Sequence, residues 1–405
     1  MRVSTLAQKL LGVTGLVVQK VTVEGRNVVI DVRPRWRNPR CGECRVPRPG
    51  YDRREVRLWR HLSFGVFRLW LRYAPRRVDC PQCGVVGEQV PWAARGSRFT
   101  EAFEELAAYL AQITDKTTVT KLLGITWRSV GAIVNRVVER RLAASRFDDL
   151  RFIGIDEFSY RKRHRYVTVV VDHAEGRIVW ARKGRSAETL AAFFKELGEA
   201  GRAKILAVTM DMAGGYLKAV QDLLPEAVVV FDRFHAQRLV GDAVDEVRRE
   251  EVRRLEGADE VKFIKKSRYA LLRNPWNMTK RDSERLSVIQ KKNARLYRAY
   301  LLKESFARAL DYKQPKRARD ALDEWLAWAS RSKLKPFVKV ARTVRKYAEG
   351  ILAYVACRLT NGLVEGTNNR LRMIARRAYG FHSAAALIAM MFLCCGGITL
   401  EPPLP

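Results

Sequence analysis

The sequence is short of acidic residues, with 43 Asp and Glu against 76 Lys and Arg, which gives a formal net charge of +33. Such an excess of one sign repels itself unless a polyanion is bound, so nucleic acid is the expected partner. An anionic membrane surface is the competing partner, but the basic residues are spread along the chain instead of clustering beside an anchor. At 405 residues the chain exceeds what one compact core usually holds, and we expect two to four domains.

Long apolar runs are also lacking. The longest is AAALIAMMFLCC (384–395), which is shorter than the ~20 residues that span a bilayer and therefore predicts a buried helix. We expect no signal peptide, because the first residues do not show its pattern. We expect no membrane partner and a location in the reducing cytoplasm.

Cysteine is scarce outside two pairs. The chain has seven cysteines, and structural disulfides are improbable in a reducing compartment. Cys357, Cys394 and Cys395 lie in apolar helical context and are expected to be reduced core residues. The other four are paired by spacing as CGEC (Cys41, Cys44) and CPQC (Cys80, Cys83).

The two CxxC pairs predict one structural zinc ion. Each pair can present two thiolates from a tight turn, and together they supply the tetrahedral sulfur set that Zn²⁺ prefers. The 35 residues between the pairs exceed the usual ~15–20, but alternating sequence such as FGVFRLWLRY predicts a β-hairpin that absorbs the difference. Residues 26–80 contain 15 arginines against five acids, which favours phosphate contacts; a solvated Arg-rich face is the alternative.

Residues 101–142 predict three helices, because apolar side chains recur at helical spacing in EAFEELAAYLAQI, TVTKLLGI and TWRSVGAIVNRVVERRL. Thr126 is the predicted N-cap of the third. This is the layout of a helix-turn-helix, whose last helix enters the major groove; three-helix packing without DNA contact is the alternative. The residues predicted to contact DNA are Trp127, Arg128, Ser129 and Asn135. Those predicted to face the core are Val130, Ile133, Val134 and Val137.

A mixed α/β region begins at FIGIDEF (152–158). Strand-like segments at 165–172 and 177–184 follow, and then a helix, a strand (204–211), a helix and a strand (227–235), which predicts a mixed sheet covered by helices. This order resembles a ribonuclease H-like fold. Asp156 would end the first strand and Asp211 the fourth, so their carboxylates would meet at one sheet edge and could hold Mg²⁺.

A two-metal site needs a third acid from an element beside the sheet. The segment NGLVEGTNNRLRMIARRAYGF (361–381) offers Glu365 ahead of a basic helix; an ordinary ion pair is the alternative for this acid. Two rival carboxylates rank lower. Glu157 should point to the opposite face of the strand from Asp156, and Asp172 precedes a predicted turn.

Five separated segments resemble the transposases of the ISL-three insertion-sequence family, over nearly the whole chain. They are IGIDEFSYRKRHRYVTVVVD, VTMDMAGGYLKAV, FDRFHAQRLVGDAVDEVRR, RYALLRNPWNMTK and LVEGTNNRLRMIARRAYGF. The resemblance implies a DDE transposase with the acidic triad Asp156, Asp211 and Glu365, which would hold two Mg²⁺ or Mn²⁺ ions. FDRFH resembles the DxxH signature of related transposases and implies that His235 lies near the metals; a structural histidine is the alternative.

The resemblance also implies the organisation of a multidomain α/β chain, acting on the terminal inverted repeats and the target DNA as at least a homodimer and associated with a prokaryotic nucleoid. The expected parts are a zinc-binding β-rich module (1–95), a helix-turn-helix region (96–147), the first part of a ribonuclease H-like catalytic core (148–239), an all-helical insertion (240–345) and the carboxyl-terminal part of the core with Glu365 (346–405).

Further residues are expected to contact DNA around the active site. Phosphate contacts are predicted for Arg161, Lys162, Arg163, Arg165, Arg370, Arg372, Arg376 and Arg377. In the insertion, Trp276, Trp325 and Trp328 are expected to be core residues, with stacking on unpaired bases as the alternative.

Two other functions remain open from the sequence. One is a sequence-specific DNA-binding regulator with an inactive nuclease-like domain, and the other is a junction nuclease. The three intact acids favour the enzyme over the regulator. The zinc module and the helix-turn-helix have little use in a junction nuclease.

Overall fold

The computed structural model describes residues 3–161, 165–212, 215–357, 359 and 362–402, with the side chain of Arg161 left out. The chain has the mixed α/β character that the sequence predicts and divides into two compact units. The first unit consists of Met1–Leu142, Arg376–Tyr379 and Ala389–Pro405. The second consists of Ala143–Ala375 and Gly380–Ile388.

The first unit begins with a β-rich module. Its elements are α1 (Val3–Leu11), β1 (Leu16–Glu24), β2 (Asn27–Pro34), β3 (Gly50–Arg53), β4 (Arg57–Arg60), β5 (Arg68–Tyr73), β6 (Arg76–Cys80) and β7 (Gly84–Gly87). β1 and β2 form a hairpin, and its turn holds Gly25 at φ 59°, a left-handed conformation that glycine adopts without strain.

The segment between the two cysteine pairs completes the sheet of this module. β2 pairs in parallel with β5, and β5 pairs antiparallel with β4, which gives the strand order β1-β2-β5-β4. Strands β3, β6 and β7 form a second sheet in the described chain. Trp59, Leu71 and Trp92 are almost completely buried in the core of the larger sheet.

Three helices follow, namely α2 (Glu101–Ile113), α3 (Lys116–Leu123) and α4 (Trp127–Arg141). Each is preceded by a residue whose side chain accepts a hydrogen bond from the backbone of the first turn: Thr100, Asp115 and Thr126. Gly124 ends α3 in a left-handed conformation, φ 60°. The predicted core face of α4 is buried: Val130, Ile133, Val134 and Val137 are at most 2% exposed.

The second unit contains a mixed sheet. Its first elements are a 3₁₀ turn (Ala144–Phe147), β8 (Phe152–Arg161), β9 (Arg165–Asp172), β10 (Arg177–Lys183), α5 (Ala187–Arg202), β11 (Ala207–Met210), α6 (Leu217–Leu223) and β12 (Val228–Phe231). In the described residues the strand order is β10-β9-β8-β11-β12. β8, β9 and β10 are antiparallel, whereas β8, β11 and β12 are parallel.

The prediction that Asp156 ends its strand is wrong. β8 continues past it because β8 and β9 form a long hairpin, in which Asp156 pairs with Val169. β11, in contrast, pairs with β8 only from Phe152 to Gly154. Asp156 therefore lies just beyond the parallel pairing, at the edge where β11 ends and Asp211 follows.

The rest of the second unit is helical. The helices are α7 (Arg233–Arg254), α8 (Ala258–Lys266), α9 (Arg268–Leu272), α10 (Lys280–Lys292), α11 (Ala294–Ala309), α12 (Pro315–Arg331), α13 (Lys335–Lys346) and α14 (Ala348–Cys357). Helices α15 (Gly362–Arg377) and α16 (Ala384–Cys395) follow; the residues of α15 from Arg376 and those of α16 from Ala389 belong to the first unit. Among the described residues, no helix combines the length and the apolarity that a membrane span requires.

Two predictions of burial are wrong in part. Trp325 is buried and donates a hydrogen bond to the carbonyl oxygen of Leu302, but Trp276 is 72% exposed and Trp328 is 36% exposed. Cys357 is also exposed, because it lies at the end of α14, where the helix leaves the core. Helical spacing alone did not distinguish these positions from buried ones.

His61 lies buried at the start of α2, with its Nδ1 2.9 Å from Oγ1 of Thr100. Burial disfavours the charged ring and lowers the pKa of His61 to about 4. The imidazole is therefore neutral in the folded chain at neutral pH.

The first unit should lose stability in mild acid. The unfolded chain binds a proton at His61 near pH 6.5 and the folded chain only near pH 4, so the unfolded state carries more protons between these values and stability falls as the pH falls. We expect a loss of about 1 kcal/mol between pH 7.5 and 5.5. Hydrogen exchange of β2 and β5, corrected for intrinsic rates, measures it. The His61→Gln variant should not show this pH-dependent loss of stability. An equal loss in the wild type and in the variant would contradict the prediction.

Candidate active site and metal centre

The two CxxC pairs converge on one point in the first unit. The Sγ atoms of Cys41, Cys44, Cys80 and Cys83 all lie within 4.8 Å of one another, and 3.7 Å separates those of Cys44 and Cys80. Within the described residues, no other group of three or more Cys, His, Asp or Glu side chains lies this close together.

Backbone pairing holds the two pairs of cysteines in place. Cys41 forms a β-bridge with Glu88, which follows β7, and Cys80 is the last residue of β6, where β6 turns into β7. A Cβ atom at Gly42 would lie 2.5 Å from the carbonyl oxygen of Gly87. The first pair therefore needs glycine between its cysteines in order to pack against the second.

The four thiols are not equivalent. Burial acts to raise the pKa of Cys80, but hydrogen bonds from the backbone of Gln82 and Cys83 and from neighbouring thiols lower it to about 6. Burial and the surrounding sulfurs raise the pKa of Cys83 to about 12. A full set of thiolates therefore requires a cation among them. Four sulfurs around one point are the donor set of structural zinc sites, so these residues fit zinc.

Asp156 and Asp211 lie at one edge of the mixed sheet. Burial raises the pKa of the Asp156 carboxyl, and the charge of Asp211 raises it further. Two neutral donors oppose this rise: the Glu157 backbone N–H lies 2.7 Å from Oδ1, and Nδ2 of Asn368 donates to Oδ2. The edge therefore offers hard carboxylate oxygens in a partly buried setting, which is the chemistry that Mg²⁺ binds.

His235 connects Asp211 to the start of α7. Asp232 is the N-cap of that helix, and its Oδ2 lies 3.1 Å from Nδ1 of His235. The other ring nitrogen lies 3.6 Å from Oδ2 of Asp211. The hydrogen bond with Asp232, together with the charges of Asp211 and Asp156, raises the pKa of His235. The histidine of the FDRFH segment thus lies beside the aspartates.

Glu365 lies in the first turn of α15, and its side chain is exposed. Residues three apart lie on the same face of a helix. Glu365 is therefore on the face of α15 that also carries Asn368, whose side chain contacts Asp156. In the described chain, the carboxylates of Asp156, Asp211 and Glu365 do not all lie within 4.8 Å of one another. The structure brings the two aspartates and His235 together and places Glu365 on the adjoining helix.

Gly154 sets the distance between α15 and β8. A Cβ atom at this position would lie 2.3 Å from Cγ2 of Val364, 3.0 Å from Nε2 of His173 and 3.1 Å from Oγ1 of Thr209. His173 and Thr209 are themselves in hydrogen-bond contact at 2.7 Å beneath the helix. The strand therefore needs glycine here for α15 to come close enough for its contact with Asp156.

The rival carboxylates have other partners. Glu157 lies 4.0 Å from Arg185; burial raises the pKa of Glu157 and the charge of Arg185 opposes that rise. Asp172 accepts a hydrogen bond at 2.9 Å from the backbone N–H of Ala174, as a turn-forming aspartate does.

The predicted DNA contacts of the helix-turn-helix lie at the surface of α4. Trp127 is 45% exposed, with Nζ of Lys116 4.7 Å from its ring centre. Arg128 and Asn135 are exposed, and Ser129 is partly buried.

The other predicted phosphate contacts divide into three groups. Arg165, Arg370, Arg372 and Arg376 are exposed. Lys162, Arg163 and the side chain of Arg161 lie outside the described residues. Arg377 instead donates hydrogen bonds to the carbonyl oxygens of Ala111 and Gln112, in the last turn of α2, where a cation is favoured.

Sequence reasoning missed two residues of the site, Asn368 and Gly154. The spacing of Asn368, three residues after Glu365, was the available signal, since it places both on one helix face. Nothing in the sequence around Gly154 distinguishes a close helix approach from an ordinary strand glycine.

Three family models match the chain. They are a transposase model over residues 153–391, a helix-turn-helix domain of transposase family ISL3 over residues 88–138, and a zinc-finger of the transposases IS204/IS1001/IS1096/IS1165 over residues 37–83. The chain is 39% identical to the transposase for insertion sequence element IS1557 of Mycobacterium tuberculosis, over 94% of this chain and 91% of the relative. It is 31% identical to the transposase for insertion sequence element IS1001 of Bordetella parapertussis, over 88% and 89%.

Purified protein should contain one zinc ion per chain, and Cys44→Ser or Cys83→Ser should lose it, because three sulfurs hold the ion more weakly than four. Metal analysis by plasma mass spectrometry measures the content. Cys357→Ser is the matched control, since that cysteine is exposed and outside the cluster. Unchanged zinc in both cluster variants would remove the assignment.

Proposed function

The chain belongs to the ISL3 family of transposases, and we propose that it recognises the ends of an insertion sequence and transfers them to new DNA through a DDE active site. It is an enzyme that acts on DNA, and its helix-turn-helix domain binds DNA. The observation that carries the proposal is the placement of Asp156 and Asp211 at one sheet edge, beside a helix that bears both Asn368 and Glu365.

We infer that the mixed sheet is a ribonuclease H-like core. In support, the order β10-β9-β8-β11-β12 combines an antiparallel three-strand meander with two parallel strands reached through helices. Residues 240–345 would be the insertion between β12 and α15. Its buried residue Trp325 belongs to the same hydrophobic cluster as Ile153 of β8, so the insertion would pack as a layer on the core.

The acidic triad would be Asp156, Asp211 and Glu365. Two divalent cations, Mg²⁺ or Mn²⁺, would when bound activate the attacking oxygen and stabilise the leaving 3′ oxygen. Asp156 is the candidate for contact with both ions, because it lies between Asp211 and α15. Asp211 and Glu365 would each hold one ion.

Neighbouring residues would orient these carboxylates. Asn368 holds Oδ2 of Asp156, and the backbone of Glu157 holds Oδ1, so the Asp156 carboxylate has a fixed rotamer. His235 links Asp211 to Asp232, the N-cap of α7, and would fix the direction of Asp211 in the same way. The exposed Arg165, Arg370, Arg372 and Arg376 would neutralise phosphates next to the reacting bond.

The remaining parts would recognise and assemble the DNA. The zinc-binding module (1–95) and the helix-turn-helix region (96–147) would bind the terminal inverted repeats, ahead of the catalytic parts (148–239 and 346–405). Joining two ends to one target favours a homodimer or a larger assembly. We place this assembly on the nucleoid of a prokaryotic cytoplasm.

Substitution of the triad should separate binding from catalysis. Asp156→Asn, Asp211→Asn and Glu365→Gln should each lower Mg²⁺-dependent cleavage by at least about a hundredfold, because a lost carboxylate weakens metal binding at the reacting bond. The substrate is a duplex carrying the terminal repeats that flank the gene, and cleavage is followed on denaturing gels. Affinity for the duplex should persist.

Asp172→Asn is the control for this series, because its carboxylate forms a turn and not the site. Full cleavage by Glu365→Gln would remove that residue from the triad and leave the aspartates. Full cleavage by all three variants would refute the active site.

Gly154→Ala should impair catalysis without removing a catalytic group. The added methyl group meets Val364 and pushes α15 away from β8, which breaks the contact between Asn368 and Asp156. We expect kcat for cleavage to fall at least about tenfold, because small misplacements of catalytic groups are costly, with duplex affinity unchanged. Val364→Ala in the same chain should restore part of the rate by making room. No rescue would indicate that the glycine acts in another way.

A further inference from the structure

A cavity of about 610 Å³ in the first unit lies outside the active site and borders the recognition surface of α4 at Ser129. One wall is formed by β4, by β5 and by the segment that precedes α2, with Arg57, Arg60, Trp70 and Arg98. The other is formed by the turn between α3 and α4 and by the first turn of α4, with Thr126 and Ser129. Its volume is in the range of ~300–1,000 Å³ that is usual for ligand sites.

The cavity collects positive charge without a carboxylate. Arg60 is only 7% exposed, and its buried Nε has no hydrogen-bond partner among the described residues. Burial lowers the pKa of Arg57 and of Arg60. The charges of Arg54 and Arg98 lower the pKa of Arg57 further, and the charge of Arg68 lowers that of Arg60. No acid opposes either shift. Buried cations without counter-ions are unfavourable, so the site is built for an anion.

The other lining groups also suit a nucleic acid. The guanidinium of Arg60 lies 5.6 Å from the ring centre of Trp70 and 5.4 Å from that of Phe103, so two aromatic rings hold the cation at the cavity. The amino-terminal end of α4, a helix of 15 residues, borders the same cavity, and its first backbone N–H groups and dipole favour negative charge.

Backbone hydrogen bonds join the strand wall of the cavity to the start of α2. The N–H of Arg60 donates to the carbonyl oxygen of Arg98 at 2.9 Å, and the N–H of Thr100 donates to the carbonyl oxygen of Arg60 at 2.9 Å. Thr100 is in turn the N-cap of α2, the first helix of the helix-turn-helix. The β1-β2-β5-β4 sheet and the helix-turn-helix are therefore joined by backbone hydrogen bonds beside the cavity.

We propose that this cavity binds a phosphodiester of the DNA backbone. The sheet and α4 would thereby bind the same DNA strand together. The inference rests on the proposed binding of DNA and adds a second contact to it. A phosphate at the start of α4 fixes how deeply and at what angle that helix enters the major groove, although the contact itself carries no sequence information. The 35 residues between the cysteine pairs then serve DNA binding, because they supply β4 and β5.

The salt dependence of DNA binding tests this proposal. Full-length protein is titrated into a short fluorescent duplex of mixed sequence between about 50 and 200 mM KCl, and the slope of log K against log salt is measured by anisotropy. Arg98→Gln and Arg60→Gln should each reduce the slope by about 1, the value expected for one lost phosphate contact. Arg98→Lys keeps the charge and should retain most of the slope.

Arg77→Gln is the matched control, because its guanidinium already pairs with Asp52; its slope should equal that of the wild type. An equal reduction in this control, or a wild-type slope in Arg98→Gln, overturns the proposal. If Arg60→Gln loses its zinc, Arg98→Gln decides alone. Displacement of the duplex by inorganic phosphate at constant ionic strength, lost in Arg98→Gln, would assign the cavity to a free anion instead. Failure of the wild type to bind any duplex would count against the proposed function itself.

Discussion

The close approach of α15 to β8 is the constraint on which the proposed catalytic edge depends. Two contacts define it: Val364 over Gly154, and Asn368 against Asp156. Four residues of helix advance about 6 Å, and two residues of strand advance about 6.6 Å, so both contacts fit one helix running along one strand. Because the helix is fixed at two points, its first turn, with Glu365, has a defined position relative to the aspartates. A glycine on the strand thus controls the position of an acid that it does not touch.

The positions of the few acidic residues determine which arginines are paired within the protein and which are left to bind a polyanion. In the first unit the buried acids serve structure: Glu88 pairs with Arg76, and Glu104 accepts from Ser97 and from Arg136 at 2.7 Å each. These pairs tie the sheet and the helices internally. At the cavity, no acid opposes the lowered pKa values of Arg57 and Arg60, and a bound polyanion would supply the missing negative charge.

Local patterns predicted the helical and zinc-binding parts well, because short-range physics decides them. The caps Thr100 and Thr126 and the left-handed Gly124 fix the helix-turn-helix within a few residues. Each CxxC pair presents two thiols from one short segment, and the two pairs converge on one point. Positions decided by tertiary contacts were predicted less well. Asp156 was expected at a strand end because the pairing of β8 with β9 is invisible in the local sequence. The exposure of Trp276 depends on what packs against its segment, and helical spacing does not encode that.

The arrangement of the acids follows from electrostatics as much as from packing. Asp156 lies beside Asp211, buried and held by two neutral donors. The hydrogen bond with Asp232 and the charges of the two aspartates raise the pKa of His235, which lies next to Asp211. A third carboxylate at the same point would add like-charge repulsion in a partly buried place, which two cations can offset and the protein alone does not. Glu365, exposed on α15, avoids this repulsion while remaining on the helix face that reaches Asp156. We infer that the fold preorganises two acids and delivers the third on a rigid helix, so that the complete site forms only together with its metals.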